Sequence, residues 1–262
     1  MTSVTQLLGP TLEPAQQPSK LYRVTVGLVV LLFGGLWLFE GHYLVTAWYP
    51  PLFDDLTPIN GVAAGAFMTL MFACSILAWS RPRITLGPFR LLLVGSVLLA
   101  ILLPMAFVLS DPIVSLGLYL VSVVLLGGMY LTHPGRDELI PSIEPNWPML
   151  LGALLIAIPF AVISSEMMYN QIVLDDEIAQ RWFYGGYALY LTAITTFAVV
   201  ASLHRDTRLL FATAACFLAL MLGMVSIVYP DELNSLGYFG GGLVTLWVIG
   251  FAMSTKWAGT DR

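Results

Sequence analysis

The sequence predicts an all-α, polytopic membrane protein whose eight transmembrane helices form two parallel four-helix repeats. Three observations lead to this prediction. Hydrophobic residues make up 58% of the 262 residues and charged residues only 10%, whereas about a quarter of the residues of a soluble domain are charged. The apolar residues occur in runs of about twenty, the length that crosses a hydrocarbon core. Finally, a pattern of acidic residues in the first half recurs in the second.

Turn-forming and charged residues separate the apolar runs and set the predicted helix boundaries. The longest internal connection, THPGRDELIPSIEPNWP, divides the chain into two halves. The predicted spans cover residues 22–48, 59–80, 87–109, 112–132, 148–168, 181–203, 208–229 and 234–254. The predicted parts are a disordered or surface-lying cytoplasmic leader (1–20), a first repeat (21–133), a cytoplasmic linker (134–147), a second repeat (148–254) and a cytoplasmic tail (255–262).

The distribution of basic residues predicts the orientation of these spans. Every Lys and Arg except Arg181 falls on one side of an eight-span arrangement. Short cytoplasmic loops carry the excess of Lys and Arg in membrane proteins. We therefore expect a multi-pass protein of the cell membrane with both termini in the cytoplasm.

The internal repeat rests on two matched patterns. Asp54-Asp55 corresponds to Asp175-Asp176, and Asp111-x-x-x-Ser-Leu-Gly corresponds to Asp231-x-x-x-Ser-Leu-Gly. Because each half holds an even number of spans, both halves enter the membrane in the same direction. This predicts a parallel repeat about an axis near the membrane normal.

Two carboxylates lie inside predicted spans and define the candidate site. Glu40 and Glu166 occupy roughly equivalent places in the two halves, and an ionisable residue at membrane depth is a functional candidate because burying it is costly. His42 and Arg181 are the expected partners, and Arg181 is assigned to Glu166 because it is the one basic residue on that side of the membrane. The alternative is that both glutamates lie at the depth of the lipid headgroups and are solvated. Catalytic residues cannot be assigned, and the sequence does not decide whether the chain is an enzyme.

A weaker acidic cluster, at the same predicted membrane face, comprises Asp54, Asp55, Asp175 and Asp176. These residue types, with Glu40, His42 and Glu166, suit a hard or borderline cation. No ligand spacing supports such a site, however, so no metal is predicted.

Haem is not expected from the histidines. Only His133 and His204 lie at one depth, and both are predicted to be solvated residues at the ends of spans. The chain also lacks the glycine-rich phosphate loops, the zinc-protease pattern and the nucleophile elbow of common enzyme families. Nucleic acid is not an expected partner, because the net charge is −5 and nucleic-acid binding needs clustered cations.

The layout within each half resembles the DoxX-like superfamily of four-helix membrane proteins. The resemblance is carried by a first helix that ends GGLWLFEGHY, by a proline-containing loop, and by a glycine-rich second helix that closes on AWSRPR. The superfamily includes subunits of thiosulfate:quinone oxidoreductase. The resemblance therefore implies a quinone-linked or membrane-anchoring function.

Three hypotheses for the function stay open. The first is a quinone-associated or accessory redox membrane subunit, with quinone as the cofactor and the carboxylates as proton or ligand contacts. The second is a small proton- or cation-coupled transporter or channel, with Glu40 and Glu166 on its pathway. The third is a non-catalytic assembly or interaction protein. The expected partners are the lipid bilayer and other membrane subunits.

Overall fold

The computed structural model describes residues 18–48, 57–80, 86–108, 111–139 and 142–257. Within these ranges the chain is helical and contains no strand. Among the described residues, eight helices are long and apolar enough to cross a membrane, so the predicted all-α class with eight spans is confirmed. We label them α1 Lys20–Leu36, α2 Pro58–Ser80, α3 Leu86–Ala106, α4 Pro112–Thr132, α5 Trp147–Val173, α6 Phe183–Leu203, α7 Arg208–Val228 and α8 Gly237–Trp257. The predicted leader at 1–20 and the tail at 255–262 lie largely outside the described residues.

The first span continues beyond α1 through a turn of π-helix, Trp37–Gly41, and a short helix, Tyr43–Thr46. Gly41 permits this turn, because a Cβ there would lie 2.1 Å from the ring of Trp37. The Trp37 ring stacks on Phe72 of α2, and its Nε1 donates to Thr69 Oγ1 at 3.1 Å. A π-turn shifts the face on which the following side chains project, and such turns are frequent at functional sites.

Polar caps fix where several spans begin, as the breaks in the sequence indicated. The Asp111 carboxylate accepts from the Val114 amide at 3.0 Å, and Pro112 occupies the first turn of α4. The Asn146 side chain accepts from the Met149 amide at the start of α5. These caps satisfy amide groups that the helix itself leaves without partners.

The helices of each half pack as a ring of four. Consecutive helices are neighbours, α1 closes the first ring against α4, and α5 closes the second ring against α8. The rings meet through α2 and α3 of the first half and α6 and α7 of the second, and these four helices are the most buried. Helix α4 lies at the periphery, where its apolar side chains are exposed.

The two halves are joined at both ends of the bundle. At one end, which we call the Asn60 end, Asn234 Nδ2 donates to Asn60 Oδ1 at 3.0 Å, and the Tyr229 hydroxyl donates to the Trp48 carbonyl at 2.8 Å. At the other end, the Arg90 end, the Arg90 guanidinium forms an ion pair with Asp206 at 3.7 Å.

The proposed internal repeat stays a prediction. Asp54 and Asp55, which carry one of its two matches, lie outside the described residues. The second match differs in local structure: Ser115 lies inside α4, whereas Ser235 precedes α8. Each of these hydroxyls nevertheless donates to a carbonyl of the preceding helix, Pro104 for Ser115 and Ser226 for Ser235.

Candidate functional site

A cavity of about 250 Å³ lies at the Asn60 end, where α1, α2 and α3 meet the beginning of α6. We call it the Glu40 cavity. Its polar walls come from a carboxylate, an amide, a guanidinium and an indole, and the rest of its wall is apolar. The lining residues are Leu36, Glu40, Asn60, Ala64, Met68, Leu99, Leu103, Arg181, Trp182, Phe183 and Gly186.

Glu40 reaches the cavity from the π-turn that follows α1. A close contact with α2 holds this segment in place: a Cβ on Gly65 would lie 2.4 Å from the Leu44 nitrogen and 3.1 Å from the Glu40 carbonyl oxygen. Small residues at helix contacts allow such an approach of two backbones. The position of the carboxylate therefore depends on a glycine of the neighbouring helix.

Arg181 reaches the cavity from the connection between α5 and α6. Its guanidinium donates to the Glu177 carboxylate at 2.5 Å, one helical turn away. Glu40 and Arg181 therefore line one cavity from opposite halves of the chain. No ion pair joins the two in the described part of the chain.

Gln171 holds the Arg181 segment against the bundle. Its side-chain amide donates to the Ala179 carbonyl at 2.8 Å, and its side-chain carbonyl accepts from the Gly185 amide at 2.9 Å. The side chain is buried, and it connects α5, the short helix Glu177–Gln180 and α6. Gln171 was not predicted from the sequence, where its only signal is an uncharged amide near the end of an apolar span.

Trp182 has an unusual backbone conformation where α6 begins. Its φ of 60° lies in the left-handed region, which is uncommon for a residue other than glycine and persists only where the surroundings fix it. The Trp182 amide donates to the Ala179 carbonyl, and the indole lies over Gly185 and Gly186. Among the described residues the buried indole Nε1 has no hydrogen-bond partner, and it lies against Gly185.

Asn60 is the second lining residue that sequence analysis did not select. It is buried, and its side-chain amide donates to Thr57 Oγ1 at 2.8 Å while accepting from Asn234. An amide with both ends bonded keeps one orientation. Asn60 thus presents a fixed polar edge to the cavity.

Glu166 lies outside the cavity. It is exposed, and the described residues include no ion pair with it; the expected pair with Arg181 is not formed. The reason is helix geometry, because each residue turns the helix by about 100°. Ser164 and Met168 belong to the buried face of α5, and Glu166, two residues from each, projects from the opposite face.

The other candidate residues are dispersed. His42 is exposed and packs its ring beside Tyr43 at a centroid distance of 4.0 Å. Asp176 caps the short helix Glu177–Gln180 by accepting from the Ala179 amide at 2.7 Å, and Asp175 accepts from Gln180. Across the described residues, no group of three His, Cys, Asp or Glu could hold a metal ion.

His133, expected at a solvated surface, is buried at the Arg90 end. Only 3% of it is exposed, and its ring packs 4.2 Å from Phe89 and 5.3 Å from Tyr22 between centroids. The Gly135 amide donates to Nδ1 at 3.0 Å. Burial lowers the pKa of His133 to about 4, and the Arg90 charge acts in the same direction. In the sequence His133 stands at a polar boundary, and its neighbours there give no sign that Phe89 and Tyr22 cover it.

His204 lies elsewhere at the same end of the bundle. It is partly exposed, and its Nδ1 lies 3.0 Å from the Ser142 carbonyl. The two histidines are thus held by different backbone groups. His133 lies in a buried aromatic pocket, and His204 follows α6 and contacts the linker between the halves.

Comparison with known proteins gives no relative of this chain: no family model, no curated protein and no solved structure matches it. The DoxX-like resemblance has no support from these comparisons.

Proposed function

We propose that this chain is an accessory membrane subunit that binds a quinone, with the quinone ring in the Glu40 cavity. The observation that carries this proposal is the composition of the cavity wall. Glu40, Asn60, Arg181 and Trp182 supply its polar groups, and aliphatic or aromatic side chains supply most of the remainder. A few placed polar groups in an otherwise apolar cavity are typical of small-molecule sites.

This composition favours an amphiphilic ring over a bare cation. Calcium takes six to eight oxygen ligands, whereas the cavity offers one carboxylate and one amide oxygen, and the amide oxygen already accepts from Asn234. A quinone carries two carbonyl acceptors on an apolar ring. The Arg181 guanidinium is a donor suited to those acceptors.

Glu40 adds the capacity to move a proton. Reduction of a quinone to a quinol takes up two protons with two electrons, and a carboxyl group beside the ring is a suitable proton donor or acceptor. We assign binding and proton exchange to this chain and electron transfer to a partner subunit.

The test is a titration of purified protein in lipid nanodiscs with decylubiquinone, followed by quenching of tryptophan fluorescence. Glu40→Gln and Arg181→Gln should each weaken binding by about tenfold to a hundredfold, because hydrogen bonds to charged groups contribute about 1.5–3 kcal/mol. Trp182→Phe should remove most of the quenching, since this indole lines the cavity.

Two controls separate binding from general damage. Glu166→Gln removes a carboxylate of the same type outside the cavity, and Glu177→Gln removes one surface carboxylate that contacts Arg181. Both should leave the affinity close to the wild-type value. Absence of quenching in the wild type, or equal losses in Glu40→Gln and Glu166→Gln, would contradict the proposal.

The second candidate function is coupled transport. One observation favours it: the cavity lies where the two four-helix rings meet, as substrate sites do in transporters built from two halves. Uptake of protons or sodium into proteoliposomes that depends on Glu40, without binding of decylubiquinone, would support this candidate over the first. The third hypothesis, an assembly protein without a ligand, predicts neither result.

We further propose that the chain resides in the cell membrane with both termini in the cytoplasm, as a tandem duplication similar to DoxX-like proteins. The asymmetry of Lys and Arg between the two ends supports the orientation. The equivalent helix neighbours within each half support the duplication. The resemblance of GGLWLFEGHY and AWSRPR supports the family proposal.

A further inference from the structure

A second, smaller cavity adjoins the Glu40 cavity on its deeper side. It lies among α1, α3 and α4, and Leu99 lines both cavities. We call it the Ser96 cavity. Its lining residues are Val29, Leu32, Phe33, Ser96, Leu99, Ser122, Leu125, Leu126 and Met129.

The two cavities follow the same helix faces toward the middle of the bundle. On α3 the lining residues are Leu103, then Leu99, then Ser96, spaced four and three residues apart as on one helix face. On α1 they are Leu36, then Phe33 and Val29, spaced three and four residues apart. Leu103 and Ser96 are separated by about 10 Å along α3, at about 1.5 Å per residue.

The Ser96 cavity is an incompletely packed part of the first ring. Two small side chains, Ser96 and Ser122, line it, and the Ser96 hydroxyl is buried with no hydrogen-bond partner in the part of the chain that the structure describes. Voids and unpartnered polar groups in a protein interior both cost stability. A gap of this kind that shares the wall residue Leu99 with a ligand cavity is explained if part of the ligand enters it.

From this adjacency at Leu99 we propose that the Ser96 cavity receives the hydrocarbon tail of the ligand whose ring occupies the Glu40 cavity. The occupant is the isoprenoid chain of a membrane quinone, which passes Leu99 and extends along α1 and α3 toward Val29 and Met129. This inference rests on the proposed function. It adds that the ligand is a long-chain membrane quinone rather than a tail-less ring compound.

The chain direction follows from the polarity of the walls. The charged side chains that line the two cavities all belong to the Glu40 cavity. The Ser96 cavity has two hydroxyl groups among apolar residues. Leu32 is 44% exposed, so the Ser96 cavity borders the lipid at α1. The tail can therefore enter sideways from the bilayer while the ring remains at the polar end.

Photo-labelling with two quinone probes tests this inference in nanodiscs containing the full chain. One probe carries a diazirine on the ring, and the other carries it at the end of a two-isoprene tail. The ring probe should label peptides around Met68 and Phe183. The tail probe should label α1 near Val29 and α4 near Met129, and excess unlabelled quinone should abolish both patterns.

Ser96→Phe provides the matched perturbation, with Val97→Phe as its control. Val97 is the adjacent residue, is exposed and lines neither cavity. Ser96→Phe should reduce specific labelling by the tail probe about tenfold. This is the change in affinity expected if overpacking of the cavity costs an amount near the low end of its usual range of free energies. Ring labelling should persist in both variants.

The outcomes separate the two proposals and do not depend on the variant folding. Suppose that in the wild type the ring probe labels the Glu40 cavity while the tail probe labels only lipid-facing residues. That result overturns the tail assignment and leaves the proposed function intact. Loss of both patterns in the wild type overturns the proposed function itself. Unchanged tail labelling in a folded Ser96→Phe protein also contradicts the tail assignment.

Discussion

Glu40 and Arg181 lie on opposite halves of the chain and line the same cavity. The cavity exists because the first span turns through a π-helix at its end and because Gln171 holds the Arg181 segment across from it. A functional site at this place is therefore a property of both halves together. Either half alone would supply only one of the two charged groups.

The contact between Gly65 and the Glu40 segment makes the first prediction. A methyl group at Gly65 would meet the Leu44 nitrogen at 2.4 Å, so Gly65→Ala should destabilise the protein by about 1–3 kcal/mol, the usual cost of overpacking. It should also weaken decylubiquinone binding, because the π-turn must shift. Thermal unfolding in detergent and the quenching titration measure the two effects.

Gly127→Ala is the matched control for that substitution. A Cβ at Gly127 would meet nothing within 4 Å. The free energy of unfolding of this variant should therefore lie within about 0.5 kcal/mol of the wild-type value. Equal destabilisation by the two substitutions would show that the contact at Gly65 does not hold the Glu40 segment.

The buried histidine makes the second prediction. Because burial lowers the pKa of His133 from its ordinary value near 6.5 to about 4, the unfolded chain binds a proton at this position at a higher pH than the folded chain does. Stability should be unaffected by His133 above about pH 6.5 and should fall as the pH drops toward 4, by at most about 3 kcal/mol. Unfolding temperatures measured between pH 4 and 8 report this change.

His133→Asn should remove that dependence, since asparagine can accept from the Gly135 amide and does not titrate. The same substitution at His204, which is partly exposed, should leave the acid-induced loss in place. The assignment is contradicted if His204→Asn, and not His133→Asn, flattens the pH profile.

The third prediction compares the stability lost when each of two ion pairs of equal length is broken. Arg90–Asp206 and Arg136–Asp137 are both 3.7 Å long, but the Arg90 side chain is 7% exposed and the Arg136 side chain 57%. Asp206→Asn leaves a buried guanidinium without its counter-charge and should cost about 1–2 kcal/mol, less than for a fully buried pair because Asp206 is itself partly exposed. Asp137→Asn should cost less than about 0.5 kcal/mol. Denaturant titration measures the free energy of unfolding of both variants. A larger loss of stability in Asp137→Asn than in Asp206→Asn would contradict this prediction.

Orientation in the membrane makes the fourth prediction. Single cysteines placed at Asp111, Asp176 and Asp231 should react with an impermeant maleimide on intact cells, and cysteines at Arg136 and Arg205 should react only after permeabilisation. The background is a chain without Cys74 and Cys216, the two native cysteines. Labelling of Arg136→Cys on intact cells would reject the proposed orientation.

Apolar length and turn residues were sufficient to predict the number of spans. Whether about twenty residues are apolar enough to lie in lipid is decided by the local sequence. The eight spans therefore begin and end close to the predicted bounds, with the first span counted through the π-turn to Thr46. Helix α5 is an exception, because it continues to Val173, beyond the predicted end at residue 168. Residues 169–173 include Tyr169, Asn170 and Gln171, whose polar groups concealed the continuation.

The candidate site was predicted only in part, because the direction of a side chain depends on helices distant in sequence. Glu40 and Arg181 were selected as rare charged groups, and both line the cavity. Glu166 was selected for the same reason and projects outward, since its face of α5 is set by packing against α6 and α8. The π-turn has no clear sequence signature, so its effect on Glu40 could not be foreseen.

The central claim is that a ligand occupies the space between Glu40 and Arg181, and filling that space tests it most directly. Ala64 lines the cavity, whereas Ala73 lies on the same helix and is exposed. The measurement is the amount of quinone that copurifies with Ala64→Phe, Ala73→Phe and the wild type after extraction and quantification. We expect the wild type and Ala73→Phe to retain quinone and Ala64→Phe to lose it while remaining folded. Equal retention by all three proteins, or no quinone in any of them, would contradict the account.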